Sequence, residues 1–352
     1  MKKITVIVEK ENQPITGGQK YDAYFINELK NIDNTVNVIS DVEFRKYSFY
    51  PFFLYNIRYI KFWKILSSSD IIIINSRLYP RLFFFILFFK NFIKKNIKIF
   101  AFHHHYNFMV HEGFKRKIHK YFEITFLKKM YCLIIPSKYV LEITKELLPS
   151  MRTKLIELAF ENKSLKIPEL NKNELVFIGK IEHRKGLHLL LESLKHLNLE
   201  FKINLVGYYN PQDPYYIKLK QTIDSLGLQK RIIFHGRLDD TKMAKILSRS
   251  SVFVFPSLHE GYGMVMREAM AYGLPIVAFN NSSIPFVVKD NFNGLIAENK
   301  NVSDFAKKIS RLLTDKEYLK TLSNNSLKTY ELSRKHDELD YDIKQFYHNI
   351  LS

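Results

Sequence analysis

The stretch "HEGYGMVMREAMAYGLP", His259 to Pro275, carries two glutamates, Glu260 and Glu268, with seven residues between them. Gly261, Tyr262 and Gly263 follow the first glutamate, and Met264 opens the next apolar pattern. The preceding run "SVFVFPS" reads as a strand. "MVMREAMAY" reads as a helix stopped at Gly273, with Pro275 close behind. Glycines in the intervening loop let backbone N–H groups turn toward a ligand with no Cβ in the way. The helix start adds free N–H groups and a positive dipole end, which suits an anion such as phosphate. Glu260 lies before the helix and Glu268 about one and a half turns into it. The two need not meet, so they would grip different parts of one elongated ligand.

Outward from this stretch, short β-branched runs alternate with longer helical patterns. The first half offers "ITVIV", "VNVIS", "DIIIIN", "IKIFAF", "CLIIPS" and "KLIELA"; the second offers "ELVFIG", "KINLVG", "RIIFHG", "SVFVFP", "PIVAF" and "NGLIAE". Near-continuous apolar strands separated by helices predict parallel sheets covered on both faces. Six strands per half predict two doubly wound α/β domains, residues 1–162 and 172–334. A C-terminal helix, 335–352, is expected to pack back on the first. The polar stretch 161–173, with Pro168 and no period, is the expected linker. Ligands of open α/β sheets sit beyond the carboxyl ends of the strands. The residues to read there are Gly17 and Gly18 after the first strand, His103 to His105 after "IKIFAF", and Gly179 with "KIEHRKG" after "LVFI".

At 352 residues, two domains are the ordinary expectation. The single cysteine, Cys132, excludes an internal disulfide framework and fits a reducing, cytoplasmic compartment. The net charge is +19 and uneven: from Phe44 to His111 there are eleven lysines and arginines against one acid, Asp70. Such a surface seeks anions. The aromatics mixed in, among them Phe49, Tyr50 and Trp63, favour an anionic membrane face over nucleic acid. No RNA-binding or zinc signature accompanies them. The docking surface is expected between Arg45 and Lys98. "LFFFILFF", Leu82 to Phe89, falls short of the roughly 20 apolar residues of a membrane span and reads as a buried or interfacial helix.

The run "PSLHEGYGMVMREAMAYGLPIVA" resembles the glutamate-x7-glutamate signature of retaining GT-B glycosyltransferases of the family 4 (group 1) type. "FIGKIEHRKGLHLLLESL" is similar to that family's phosphate-binding segment, and "NGLIAE" to its downstream strand. The likeness is continuous from about Leu175 to Glu298 and looser over residues 1–160. It implies a GT-B architecture, with two Rossmann-like domains facing an interdomain cleft. It also implies a nucleotide-sugar donor, UDP-hexose or GDP-mannose, and no metal or other cofactor. By position, Glu260 would contact the donor sugar and Glu268 the ribose. Lys180 and Lys185 would meet the diphosphate, together with the backbone of Gly179 and of Gly261 to Met264. The first of these lysines is more often arginine, so a point charge replaces a bidentate grip. Gly17 and Gly18 would form a donor loop, and His103 or His104 would hydrogen-bond the sugar or the acceptor. Glu260, Lys185 and His104 are the expected catalytic residues. The implied acceptor is a glycan or lipid-linked hydroxyl at the inner face of the cell membrane.

Two tempting metal motifs fail on geometry. Neighbours at a strand end point opposite ways, so His103, His104 and His105 cannot all face one ion. Asp340 and Asp342 of "DYD" sit two apart on an expected helix and do not share a face.

Overall fold

The computed structural model describes residues 2–9, 16–33, 35–40, 59–88, 90, 96–161 and 173–351. Two compact units result: Met1–Glu161 with Arg334–Ser352, and Asn162–Ser333.

The first unit is built on a parallel sheet of six strands: β1 (Ile4–Val8), β2 (Asn37–Ser40), β3 (Ile71–Asn75), β4 (Lys98–Phe102), β5 (Cys132–Ile135) and β6 (Thr153–Leu155). Their order is β2-β1-β3-β4-β5-β6. The second unit repeats the plan with β7 (Glu174–Ile178), β8 (Lys202–Val206), β9 (Ile232–Gly236), β10 (Val252–Phe255), β11 (Ile276–Phe279) and β12 (Gly294–Ala297). Their order is β12-β11-β10-β7-β8-β9. Eleven of the twelve apolar runs contain one of these strands, and "KLIELA" overlaps the last two residues of β6. Central strands are buried along their length, as in β3, where Ile71 to Ile74 face Ile4 to Ile7 of β1. Helices on both faces leave such a strand no polar side, so its sequence is a run rather than an alternation. The expected strand at "KLIELA" is shorter. Pairing on β5 ends at Leu155, apart from Ile156 N–H donating to the Ile135 carbonyl at 3.0 Å.

The "LFFFILFF" run lies mostly in the helix Tyr79–Phe88. It buries Leu82, Phe83 and Ile86 against the first sheet, while Phe84 is 63% exposed. Among the described residues no helix is long and apolar enough to cross a membrane. Much of the expected docking segment, residues 45 to 58 with Lys94 and Lys95, lies outside the described residues.

The helix His336–Phe346 belongs to the first unit. Phe346 stacks edge-on against Phe25 and Phe100 at 5.8 and 5.7 Å. Its two aspartates take separate partners: Tyr24 donates to Asp340 at 2.6 Å, and Arg334 pairs with Asp342 at 2.6 Å. Arg334 also donates to the Glu157 carbonyl at 3.2 Å, tying the returning chain to the end of the first sheet.

Candidate functional site

In the second sheet the chain runs outward from β7 through β8 to β9, then restarts on the other side of β7 at β10. The carboxyl ends of β7 and β10 therefore flank the switch point, where a doubly wound sheet opens a crevice. Beyond β7 come Gly179, Lys180 and a short 3-10 turn, His183–Lys185. Gly186 follows with φ +69°, where a Cβ would lie 1.9 Å from the Pro256 carbonyl oxygen. Only glycine permits that approach, and the contact presses the turn against the segment leaving β10. Leu258 N–H donates to the Arg184 carbonyl at 2.8 Å and completes the join.

This join brings Glu260 and Lys185 together. Lys185 Nζ donates to Glu260 Oε1 at 2.5 Å, and both side chains are about nine-tenths buried. Arg184 donates to the same oxygen at 3.2 Å and Ser257 Oγ at 2.8 Å. Ser282 Oγ accepts from the Glu260 backbone N–H at 2.9 Å. Lys185 also lies 5.0 Å from the Phe255 ring centroid, an apolar wall with a favourable face for a cation. Burial works against the Glu260 carboxylate, but Lys185 and Arg184 outweigh it and hold its pKa down to about 2. The lysine's balance is different. Burial lowers the Lys185 pKa, and Arg184 adds to that; Glu260 and, more weakly, Glu182 oppose, and the net direction is down. The asymmetry follows from the contacts, since the carboxylate touches two cations and a hydroxyl while the ammonium touches one carboxylate and has Arg184 as a like-charged neighbour.

Lys180 is exposed and pairs with Glu182 at 2.9 Å; Glu182 also pairs with Arg184 at 2.9 Å. The expected lysine pair is thus divided, with Lys185 inside the cluster and Lys180 at its rim. The loop Gly261–Tyr262 is half-buried, and Gly263 stands at φ +79° before the helix Met264–Met270. Glu268 is half-buried on that helix.

The remaining expected residues form a second cluster, in the first unit, at the carboxyl ends of β3 and β4. His104 Nε2 meets Asp22 Oδ1 at 2.7 Å, and Asn75 Nδ2 donates to the other Asp22 oxygen at 2.5 Å. Gly18, in the first turn of the helix Gly17–Ile32, lies under the His104 ring, which a Cβ there would meet at 3.3 Å. His103 is fully buried with Nδ1 on Ser76 Oγ at 2.9 Å. Burial and the neighbouring His104 push its pKa down to about 3, so it is neutral. Its Nε2 is buried without a hydrogen-bond partner.

Arg184, Ser257, Glu182, Asp22, Asn75 and Ser76 are members of these clusters that the sequence reading did not single out. Asp22 carried a signal: it shares the buried face of its helix with Phe25, Ile26 and Leu29, and an acid on an apolar face needs a partner. Arg184 was visible only as one more charge beside Lys185.

Residues 160–329 match the family model described as glycosyl transferases group 1. An uncharacterized glycosyltransferase of Methanocaldococcus jannaschii is 32% identical over 164 residues, 47% of this chain and 45% of the relative. The lipopolysaccharide core biosynthesis glycosyltransferase LpsE of Rhizobium meliloti is 30% identical over 162 residues, 46% of this chain and 43% of that one. The chain spans about half the length of these curated relatives. Among solved structures, Anabaena HepE in complex with UDP-glucose superposes with a TM-score of 0.77. The match covers 99% of this chain and all of HepE at 16% identity. The architecture of two parallel six-stranded sheets with their helices is the GT-B fold. The part of the chain from 160 to 329 is thus similar to group 1 glycosyl transferases, and the chain has the GT-B fold.

Proposed function

We propose that the chain is a retaining, metal-independent hexosyltransferase. It would move a hexosyl unit from UDP-hexose or GDP-mannose to a hydroxyl of a glycan or lipid-linked acceptor. The setting is cell-envelope polysaccharide or glycolipid synthesis in the cytoplasm, at the inner face of the membrane. The observation that carries this reading is the buried Glu260–Lys185–Arg184–Ser257 cluster at the switch point of the second sheet. Cations fixed beside a crevice stabilise charge that develops on a departing diphosphate without reorganising at the moment of reaction. Lys185, held on Glu260 against the apolar Phe255 wall, gains from a further anion because burial and Arg184 disfavour its ammonium. Glu260 stays ionised and is suited to steady positive character at the anomeric carbon. Glu268 takes the ribose hydroxyls. The first unit is assigned the acceptor, with His104 hydrogen-bonding a hydroxyl.

The direct test is a thermal-shift screen of the whole chain against UDP- and GDP-sugars, followed by product analysis with and without an added glycan acceptor in EDTA. A donor at 100 times its dissociation constant adds roughly 2.7 kcal/mol of stability. Transfer in EDTA with retained anomeric configuration is the expected result. Donor breakdown unaffected by any acceptor would point to a hydrolase or epimerase on the same fold. Stabilisation without turnover would point to a binding subunit, and no response to any nucleotide sugar would overturn the reading.

A further inference from the structure

The helix Gly113–Leu127 is apolar on two sides. Inward, it buries Glu123, Phe126 and Leu127. Outward, Phe114 is 77% exposed, Ile118 41%, Tyr121 68% and Phe122 37%. These four recur at i, i+4, i+7 and i+8, which is one stripe along a helix. The stripe continues across the neighbouring helix, for Phe122 meets Phe83 edge-on at 5.2 Å and Phe83 meets the exposed Phe84 at 5.3 Å. Val110, just before the helix, is 40% exposed and adds to the same apolar surface. Lys115, Lys117 and Lys128 are exposed beside it, Arg116 and Lys120 are exposed toward the Phe108 ring at 6.0 and 5.6 Å, and Glu112 is the single exposed acid from His111 to Met130. A solvated helix face is ordinarily polar, and a contiguous exposed apolar surface rimmed by one sign of charge marks a docking site.

We propose that this face, residues 110 to 128 with Phe84, docks the protein on an anionic lipid bilayer. Aromatic side chains fit the boundary between headgroups and acyl chains, and Lys115, Lys117 and Lys128 at the stripe's edges meet lipid phosphates. Charge selects the occupant. A twofold contact with a second copy would bring these cations against their own copies, whereas an anionic surface neutralises them. The proposal rests on the peripheral-membrane part of the function above and names the surface that serves it. The same helix also reaches the first unit's cluster from behind. Glu123 accepts from the backbone N–H groups of Asn107 and Phe108, each at 2.9 Å, and so holds the loop that leaves His103 and His104.

The test is co-sedimentation of the full chain with phosphatidylcholine vesicles, with and without phosphatidylglycerol, over a salt series. Two variants accompany it: Lys115→Ala/Lys117→Ala/Lys128→Ala and Phe114→Ser/Tyr121→Ser. Each cation near such a surface contributes about 1 kcal/mol, so losing three should lower partitioning about 100-fold at low salt. The aromatic variant should lose the binding that survives at high salt. Circular dichroism and melting confirm that both variants fold, as exposed positions allow. Wild-type binding with both variants unchanged overturns this surface and leaves the peripheral reading standing. A wild type that binds neither vesicle at low salt overturns both. Self-association in solution that either variant abolishes would make the stripe a contact between copies instead. Transfer to a water-soluble acceptor, measured separately, reports on the transferase reading alone.

Discussion

Replacing Lys185 by methionine keeps most of the side-chain volume and removes the charge, which isolates what the ion pair does. The size of the effect can be worked from Glu260. Its pKa falls from 4.5 to about 2 under all its partners together, and at about 1.4 kcal/mol per unit this is roughly 3 kcal/mol. Arg184 and Ser257 keep their share after the substitution, since both contact the same carboxylate oxygen. Lys185→Met is therefore expected to cost about 2 kcal/mol of folding stability, below the ~3–5 kcal/mol typical of breaking an isolated buried pair. Glu260→Gln should cost more, because it leaves two cations facing a neutral amide. The double variant should be more stable than the sum of the singles implies, by about 1–2 kcal/mol. The assay is urea unfolding of all four proteins at neutral pH. Strict additivity would refute the pairing as an energetic unit. The acid limb offers an independent check. A depressed carboxylate pKa contributes stability that is complete above its unfolded value of 4.5 and is lost as pH falls toward about 2. Lys185→Met should flatten stability across that window. In the proposed reaction the same variant should lower turnover by roughly 100- to 1,000-fold, as loss of a preorganised charge does.

Glu123 predicts the opposite slope. Burial raises its pKa from 4.5 to about 7 against three opposing N–H donors. The folded state therefore binds the extra proton between those values, and stability should decline as pH rises through them, by up to about 3 kcal/mol. Glu123→Gln should remove that part of the pH slope, and an unchanged slope would rule out the carboxyl as its source. Glu268→Ala is expected to raise KM for the donor while turnover at saturation stays near wild type, because a ribose contact is equal in ground and transition states. A large fall in saturated turnover would contradict the ribose assignment. Gly186→Ala forces a Cβ to within 1.9 Å of a carbonyl oxygen at a left-handed backbone position. It should destabilise the second unit by more than 2 kcal/mol and loosen Lys185 from Glu260, and melting that matches wild type would show that the turn yields freely.

All twelve strands were legible because parallel strands buried on both faces must be written as apolar runs, such as Ile71 to Ile74. One edge was read less sharply: "KLIELA" runs four residues past the end of Thr153–Leu155, an outermost strand with a neighbour on one side only. The loops of the switch point were legible for a related reason: Glu260 and Lys185 both follow directly on strand ends. Their mutual contact was not, because it joins positions 75 apart in sequence. It depends on how closely the Gly186 turn approaches Pro256. Nor could the sequence divide the histidines. His103 points into the core and His104 onto Asp22, a distinction set by the register of β4. The exposed aromatic stripe was hidden differently. In "GFKRKIHKYFEITFL" apolar residues fall on both helix faces, and periodicity alone does not say which face meets the sheet.

The first unit is not one continuous segment. Its sheet ends at Leu155, yet Phe346 fills the space between Phe25 and Phe100, and Arg334 closes on Glu157. The whole second unit is inserted between those two parts. During vectorial synthesis the amino-terminal sheet emerges first but lacks the helix that seals its flank. The later unit holds all of its own strands by Ser333. A ribosome-arrested chain ending before Arg334 is therefore expected to show a protease-resistant second unit beside a sensitive first, and the reverse pattern would refute this order. Maturation of the first unit waits on residues translated after the second.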